Sequence, residues 1–137
     1  EYSKLKGTVV KASLSSLLID EYPILAIAAS QSTGITKFNG LDELRHKESD
    51  RIKSITQNLK RLGFKVITQN NNIIIHGSKH VIKKSVKITT FNDHRIAMAF
   101  SILSIIYENK ISLDNEKCIA ISYPDFKKHI KELLVNA

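Results

Sequence analysis

Hydrophobic and polar positions along the chain divide it into short α and β elements. GTVVKASL, residues 7–14, reads as a strand. PILAIAASQS, starting at Pro23, is apolar nearly all round and predicts a buried helix, with Pro in the first turn where its missing N–H has no partner to lose. Gly34 ends it, and GITKFNG (34–40) is a second short strand. A turn through residues 41–49 leads to the next helix. There Ile52, Ile55, Leu59 and Leu62 fall at helical spacing on one face, and Gly63 stands where a C-terminal cap belongs. KVITQ and NIIIHG, joined through Asn70–Asn72, predict a hairpin.

The order so far is β-α-β-α-β-β. It starts again with a strand within 81–90, an all-apolar helix over 94–107 (HRIAMAFSILSIIY) and a strand at KISLD (110–114). A helix led in by Ser122 or Tyr123 then runs through Phe126, Ile130, Leu133 and Leu134. LAIAAS (25–30) aligns with IAMAFS (96–101), and GITKF with KISLD. We read one partial α/β domain of two related units, 7–80 and 81–137. A helix with no polar face must be enclosed by protein, so the buried helices belong inside, with strands and amphipathic helices outside. A third unit would complete that enclosure.

Composition narrows the class. The 137 residues are 42% hydrophobic and 25% charged, enough for a packed core and unlike a disordered chain. No apolar run is long enough to span a bilayer, and the N-terminal stretch lacks the apolar core of a signal peptide. That stretch opens in mid-pattern without Met, which reads as a piece of a longer protein. A single cysteine, Cys118, excludes an internal disulfide and fits a reducing cytoplasm. The net charge of +8 favours anionic partners, although many lysines lie in Lys/Asn/Ile-rich context where they simply fill the surface.

Three charged groups carry candidate chemistry. Lys47, Glu48 and Arg51 stand at a helix start, where Ser49 is expected to cap and free N–H groups would favour an anion. Asn92, Asp93, His94 and Arg95 precede the second all-apolar helix, and Asp20 and Glu21 hold the matching place before the first. Each group also suits plain capping and surface pairing. Related loops gather at one end of a pseudo-symmetric fold, so the three together would form an anion-binding cleft edged by a carboxylate. His46, His76, His80 and His129 lack the spacing of a zinc pair, and phosphate-binding glycine loops and a nucleophile elbow are missing.

These motifs resemble 5-enolpyruvylshikimate-3-phosphate synthase. LDELRHKESDRI (41–52) resembles its KESDR signature, NDHRIAMAF (92–100) its DHRIAM segment, IDEYPILAIAA (19–29) its DE-P segment and ISYPDF (121–126) its C-terminal motif. The likeness runs from about Leu17 to the end, and the spellings KESDR and DEYP resemble the glyphosate-tolerant bacterial class.

The resemblance implies two lobes built from β-α-β-α-β-β units around buried helices, an inside-out α/β barrel of which this chain is an incomplete C-terminal lobe. It implies transfer of the enolpyruvyl group of phosphoenolpyruvate to shikimate 3-phosphate in aromatic amino-acid synthesis, with no metal or organic cofactor. By the same resemblance, Asp20 accepts the proton of the attacking hydroxyl and Glu48 protonates the methylene carbon. Lys47 lies by shikimate 3-phosphate, Arg51 and Arg95 hold phosphoenolpyruvate, and His94 lies next to the site. Ile121 replaces a family lysine. An N-terminal lobe would supply further catalytic contacts, so the chain alone is expected to be inactive. The contrasting reading is a basic nucleic-acid-binding module. Against it stand an aromatic content of 7% and the lack of an RNP-like strand.

Overall fold

The computed structural model describes residues 4–79, 82–107 and 110–135. The proposed unit boundary at 80/81, and His80, lie outside the described residues. Six strands and five helices follow in chain order: β1 (Val9–Val10), α1 (Tyr22–Ser30), β2 (Gly34–Phe38), α2 (Arg51–Arg61), β3 (Lys65–Gln69), β4 (Asn72–Gly77), β5 (Val86–Ile88), α3 (His94–Ile106), β6 (Ile111–Leu113), α4 (Ile119–Ser122) and α5 (Phe126–Val135). One sheet has the order β1-β2-β4-β3, with β1 parallel to β2 and the other pairs antiparallel. A second sheet pairs β5 with β6 in parallel. Both α1 and α3 therefore connect two parallel strands, and the two helices pack on each other.

The expected first strand is shorter than its pattern suggests. Only Val9 and Val10 form a ladder, with an isolated parallel bridge between Lys6 and Thr33 ahead of them, and a 3-10 turn follows at Ala12–Leu14. The Val10 carbonyl accepts both the Asn39 backbone amide, at 3.2 Å, and the Asn39 side-chain amide, at 3.0 Å, and the pairing ends there. The turn also packs against Gly40 (φ 70), where an added Cβ would lie 2.6 Å from that of Ala12. In the hairpin, Asn72 belongs to β4. The loop is Asn70–Asn71, with Asn70 in the left-handed region at φ 53 that asparagine tolerates. Near the C-terminus the helix is split, because Pro124 bars helical geometry from Tyr123, which sits at φ −141, ψ 79.

The predicted stripe on α2 is buried throughout: Ile52, Ile55, Leu59 and Leu62 are each at most 4% exposed. They meet Phe64, Val66, Ile73 and Ile75 from the hairpin, while Tyr22 of α1 packs edge-to-face on Phe38 at 5.3 Å. α1 and α3 are not fully enclosed by the described residues. Pro23, Ile24, Met98, Ala99, Ile102 and Phe126 line an open groove between them. Leu133, Leu134 and Val135 on α5 are also exposed. Across the described residues, no helix is long and apolar enough to cross a membrane.

Candidate active site

Two helices begin at the same end of the molecule, and the loop before α1 reaches them. Arg51 opens α2, and His94 and Arg95 open α3. The cap of α2 differs from expectation: Asp50, not Ser49, accepts the Lys53 amide, at 3.0 Å. A carboxylate already fills the polar helix start, so the free N–H groups read from the sequence are not a vacant anion site. Ser49 instead donates its hydroxyl to Asp93 at 3.0 Å. Asp93 caps α3 in turn, accepting the Arg95 amide at 3.0 Å.

Arg51 is the centre of the cluster. It is 0% exposed, and its guanidinium is held on every side. Nε donates to Asp93 Oδ2 at 2.8 Å, Nη1 to Asp20 Oδ1 at 2.8 Å, and Nη2 to Glu48 Oε2 at 2.6 Å. A buried cation requires such compensation, and the planar fork lets three carboxylates approach without crowding. Arg95 lies on the other side of Asp20. Its Nη1 donates to the Asp20 carbonyl at 3.1 Å, and Nη2 is 3.6 Å from Asp20 Oδ2. Lys47 Nζ is 3.9 Å from Asp20 Oδ1.

Five of the six residues given site roles by the resemblance, Asp20, Lys47, Glu48, Arg51 and Arg95, thus meet in one network of ion pairs. His94 is half-buried at the start of α3 and makes no hydrogen bond or ion pair with the described residues.

Electrostatics follow from the geometry. The hydrogen bond from Arg51 holds the Asp20 carboxyl below the usual range, with Arg95 and Lys47 adding to it against a partial burial cost. Burial pushes Asp93 up, but Arg51, the Ser49 hydroxyl and the Arg95 amide outweigh it and leave Asp93 lowered. Arg51 is raised despite burial because Asp93, Asp20 and Glu48 surround it. Cations and carboxylates therefore neutralise one another within this end of the chain. An incoming anion must compete with Asp20 and Glu48 for the same donors.

Sequence reasoning placed Asp93 in a polar loop but not at the centre of the network. It also missed the second stripe on α2. Arg51, Ser54 and Asn58 share one face and are each at most 1% exposed. Their helical spacing beside the apolar stripe was the available signal: a polar row at 51, 54 and 58 running next to 52, 55 and 59 implies polar groups with buried partners. Ile121, which the resemblance sets against a lysine, is 85% exposed. Among the described residues no group of three His, Cys, Asp or Glu side chains could hold a metal ion.

Residues 4–130 match the family model for EPSP synthase (3-phosphoshikimate 1-carboxyvinyltransferase). The 3-phosphoshikimate 1-carboxyvinyltransferases of Clostridium tetani and Petrotoga mobilis are 43% and 41% identical to the chain over 130 and 131 residues. That of Aquifex aeolicus is 42% identical over 130 residues. These alignments cover 95–96% of this chain and 30% of each relative. The solved EPSP synthase from Acinetobacter baumannii superposes with a TM-score of 0.81 at 33% identity, covering 94% of this chain and 30% of that one.

Proposed function

The chain belongs to the EPSP synthase family and takes part of a lobe of that α/β fold, and we propose that it is the portion of an enolpyruvyl transferase that holds the proton-moving carboxylates. The substrates in this reading are phosphoenolpyruvate and shikimate 3-phosphate, and the product belongs to aromatic amino-acid synthesis. A cytoplasmic location suits that chemistry. The family match leaves the nucleic-acid reading without support. The observation that carries the proposal is the meeting of Asp20, Glu48, Lys47 and Arg95 around Arg51, from three separate segments.

The reaction needs a proton delivered to the methylene carbon of phosphoenolpyruvate and another removed from the attacking hydroxyl. A C–O bond then forms at the central carbon. Loss of phosphate, with return of a methyl proton to a carboxylate, restores the double bond.

Glu48 and Asp20 divide these tasks. Both begin as partners of Arg51, which makes Asp20 a weak base. A substrate anion that takes over Arg51 and Arg95 releases both carboxylates and puts like charge beside them. That change favours proton uptake, as an acid at carbon and a base at oxygen require. Substrate binding and activation of the carboxylates are then one event.

The chain spans about 30% of the length of the curated relatives it matches. The rest of such an enzyme would supply further cations and close over the substrates. The units 7–80 and 81–137 remain our reading of the chain, supported by the parallel β1–α1–β2 and β5–α3–β6 arrangements.

The test joins this chain to the part of the Clostridium tetani relative that it does not cover. Phosphate release should require both substrates. Glu48→Gln and Asp20→Asn should each lower kcat by roughly 10²–10⁴-fold. A turning-over chimera indifferent to both changes would overturn the assignment.

A further inference from the structure

We propose that Asn58 is a positioning residue for Arg51, fixing the register of α2 against the Thr89–Asp93 segment so that the guanidinium meets Asp93. Arg51's part in anion binding rests on the function proposed above; its placement by Asn58 rests on geometry alone.

Asn58 is 0% exposed, and its amide is fully used. Nδ2 donates to the Ser54 carbonyl at 2.9 Å and to the Thr89 carbonyl at 2.8 Å, while Oδ1 accepts the Thr89 amide at 3.1 Å. The two bonds to one peptide backbone set both the distance and the register between helix and segment. Asn58 lies two turns along α2 from Arg51 on the same face. The helix is thus fastened at Asn58–Thr89 and again at Arg51–Asp93.

The chain between Thr89 and Asp93 is stiff. Phe91 and Asn92 both have positive φ, 55 and 56, a conformation that costs a bulky residue such as Phe most. The Asp93 amide donates to the Thr90 carbonyl at 3.0 Å and closes the turn. Thr90 is 0% exposed and pinned from the far side, its amide and hydroxyl both donating to Asp114 Oδ1 at 2.9 and 2.7 Å. Asn115 donates to the Asn92 side chain at 2.8 Å. A displacement at Thr89 therefore passes to Asp93 with little damping. Small errors there matter, because an anion-binding guanidinium must be held to within about 0.5 Å of its working position.

Proton exchange at Arg51 Nε–H reports this placement with no substrate present, so its outcome is separate from that of the chimera assay. In the 137-residue chain, Asn58→Leu keeps the volume and removes the amide. Exchange at Arg51 Nε–H should rise at least tenfold, while the backbone amides of Ile55 and Leu59 change less than threefold. Asn58→Asp, which keeps Oδ1 for the Thr89 amide, should give an intermediate rise. Unchanged Arg51 exchange in a folded Asn58→Leu chain overturns the proposal. So does an equal rise at Ile55 and Leu59, which would mean general loosening. If Asn58→Leu does not fold, Asn58→Asp decides in its place: faster exchange at Arg51 with Ile55 and Leu59 little changed supports the proposal, and any other result overturns it.

Discussion

Asp93 does three jobs with one carboxylate: it caps α3, accepts the Ser49 hydroxyl and compensates the buried Arg51. Asp93→Asn leaves a buried cation short of one negative partner and should destabilise the chain by roughly 3–5 kcal/mol at neutral pH, read by urea unfolding. The lowered pKa values of Asp20 and Asp93 give a second prediction. Each binds its proton less readily folded than unfolded, so its contribution to stability is complete above the unfolded value, about pH 4, and fades as pH falls through the lower folded value. Thermal midpoints should drop steeply below about pH 4, and less steeply in Asp93→Asn. The motif spelling pointed to these residues, but not to their pairing. Arg51 and Asp93 are neighbours only because two helix starts converge, and no local pattern records that.

At the level of elements, α2 carries two buried stripes, one apolar and one polar. Leu59→Ala should cost about 2–5 kcal/mol, because Leu59 is fully buried between α2 and the hairpin and the cavity cannot collapse freely. Gly77 marks where β4 passes the end of α1. A Cβ there would lie 2.3 Å from the Ser32 carbonyl oxygen, so Gly77→Ala should lower the thermal midpoint measured by circular dichroism. The apolar periodicity of α2, and the continuous apolar runs of α1 and α3, made these helices legible from the sequence. β1 was misjudged in length because a strand ends where its partner's hydrogen bonds end. That depends on Asn39 and Gly40, some thirty residues along the chain.

For the whole molecule, α1 and α3 expose an apolar groove, and α5 anchors mainly through Phe126 and Ile130. Leu133→Glu and Leu134→Glu should leave the thermal midpoint of the chain nearly unchanged, since both side chains already face water. If either lowers it by several degrees, α5 is better packed than its exposure indicates. The candidate-site cluster is balanced in charge, so the +8 of the chain resides elsewhere, largely on exposed lysines. The purified chain should show no turnover of phosphoenolpyruvate with shikimate 3-phosphate. Any turnover, lost on Glu48→Gln, would mean that the proposed site works without the remaining length of the relatives.

Local pattern alone determined the alternation of elements, the apolar character of α1 and α3, the hairpin, and the three charged segments that hold the candidate chemistry. Those features depend on neighbours a few residues apart, where helical and strand periodicities act. Tertiary structure decided that Asp93 holds Arg51, that Asn58 holds Thr89, and that the cluster neutralises itself. Arg51 meets Asp20 and Asp93, and Asn58 meets Thr89, across more than thirty residues of chain, and only the Arg51–Asp93 pair at the centre is closed to water. There burial makes an unpaired charge costly and so selects the partners.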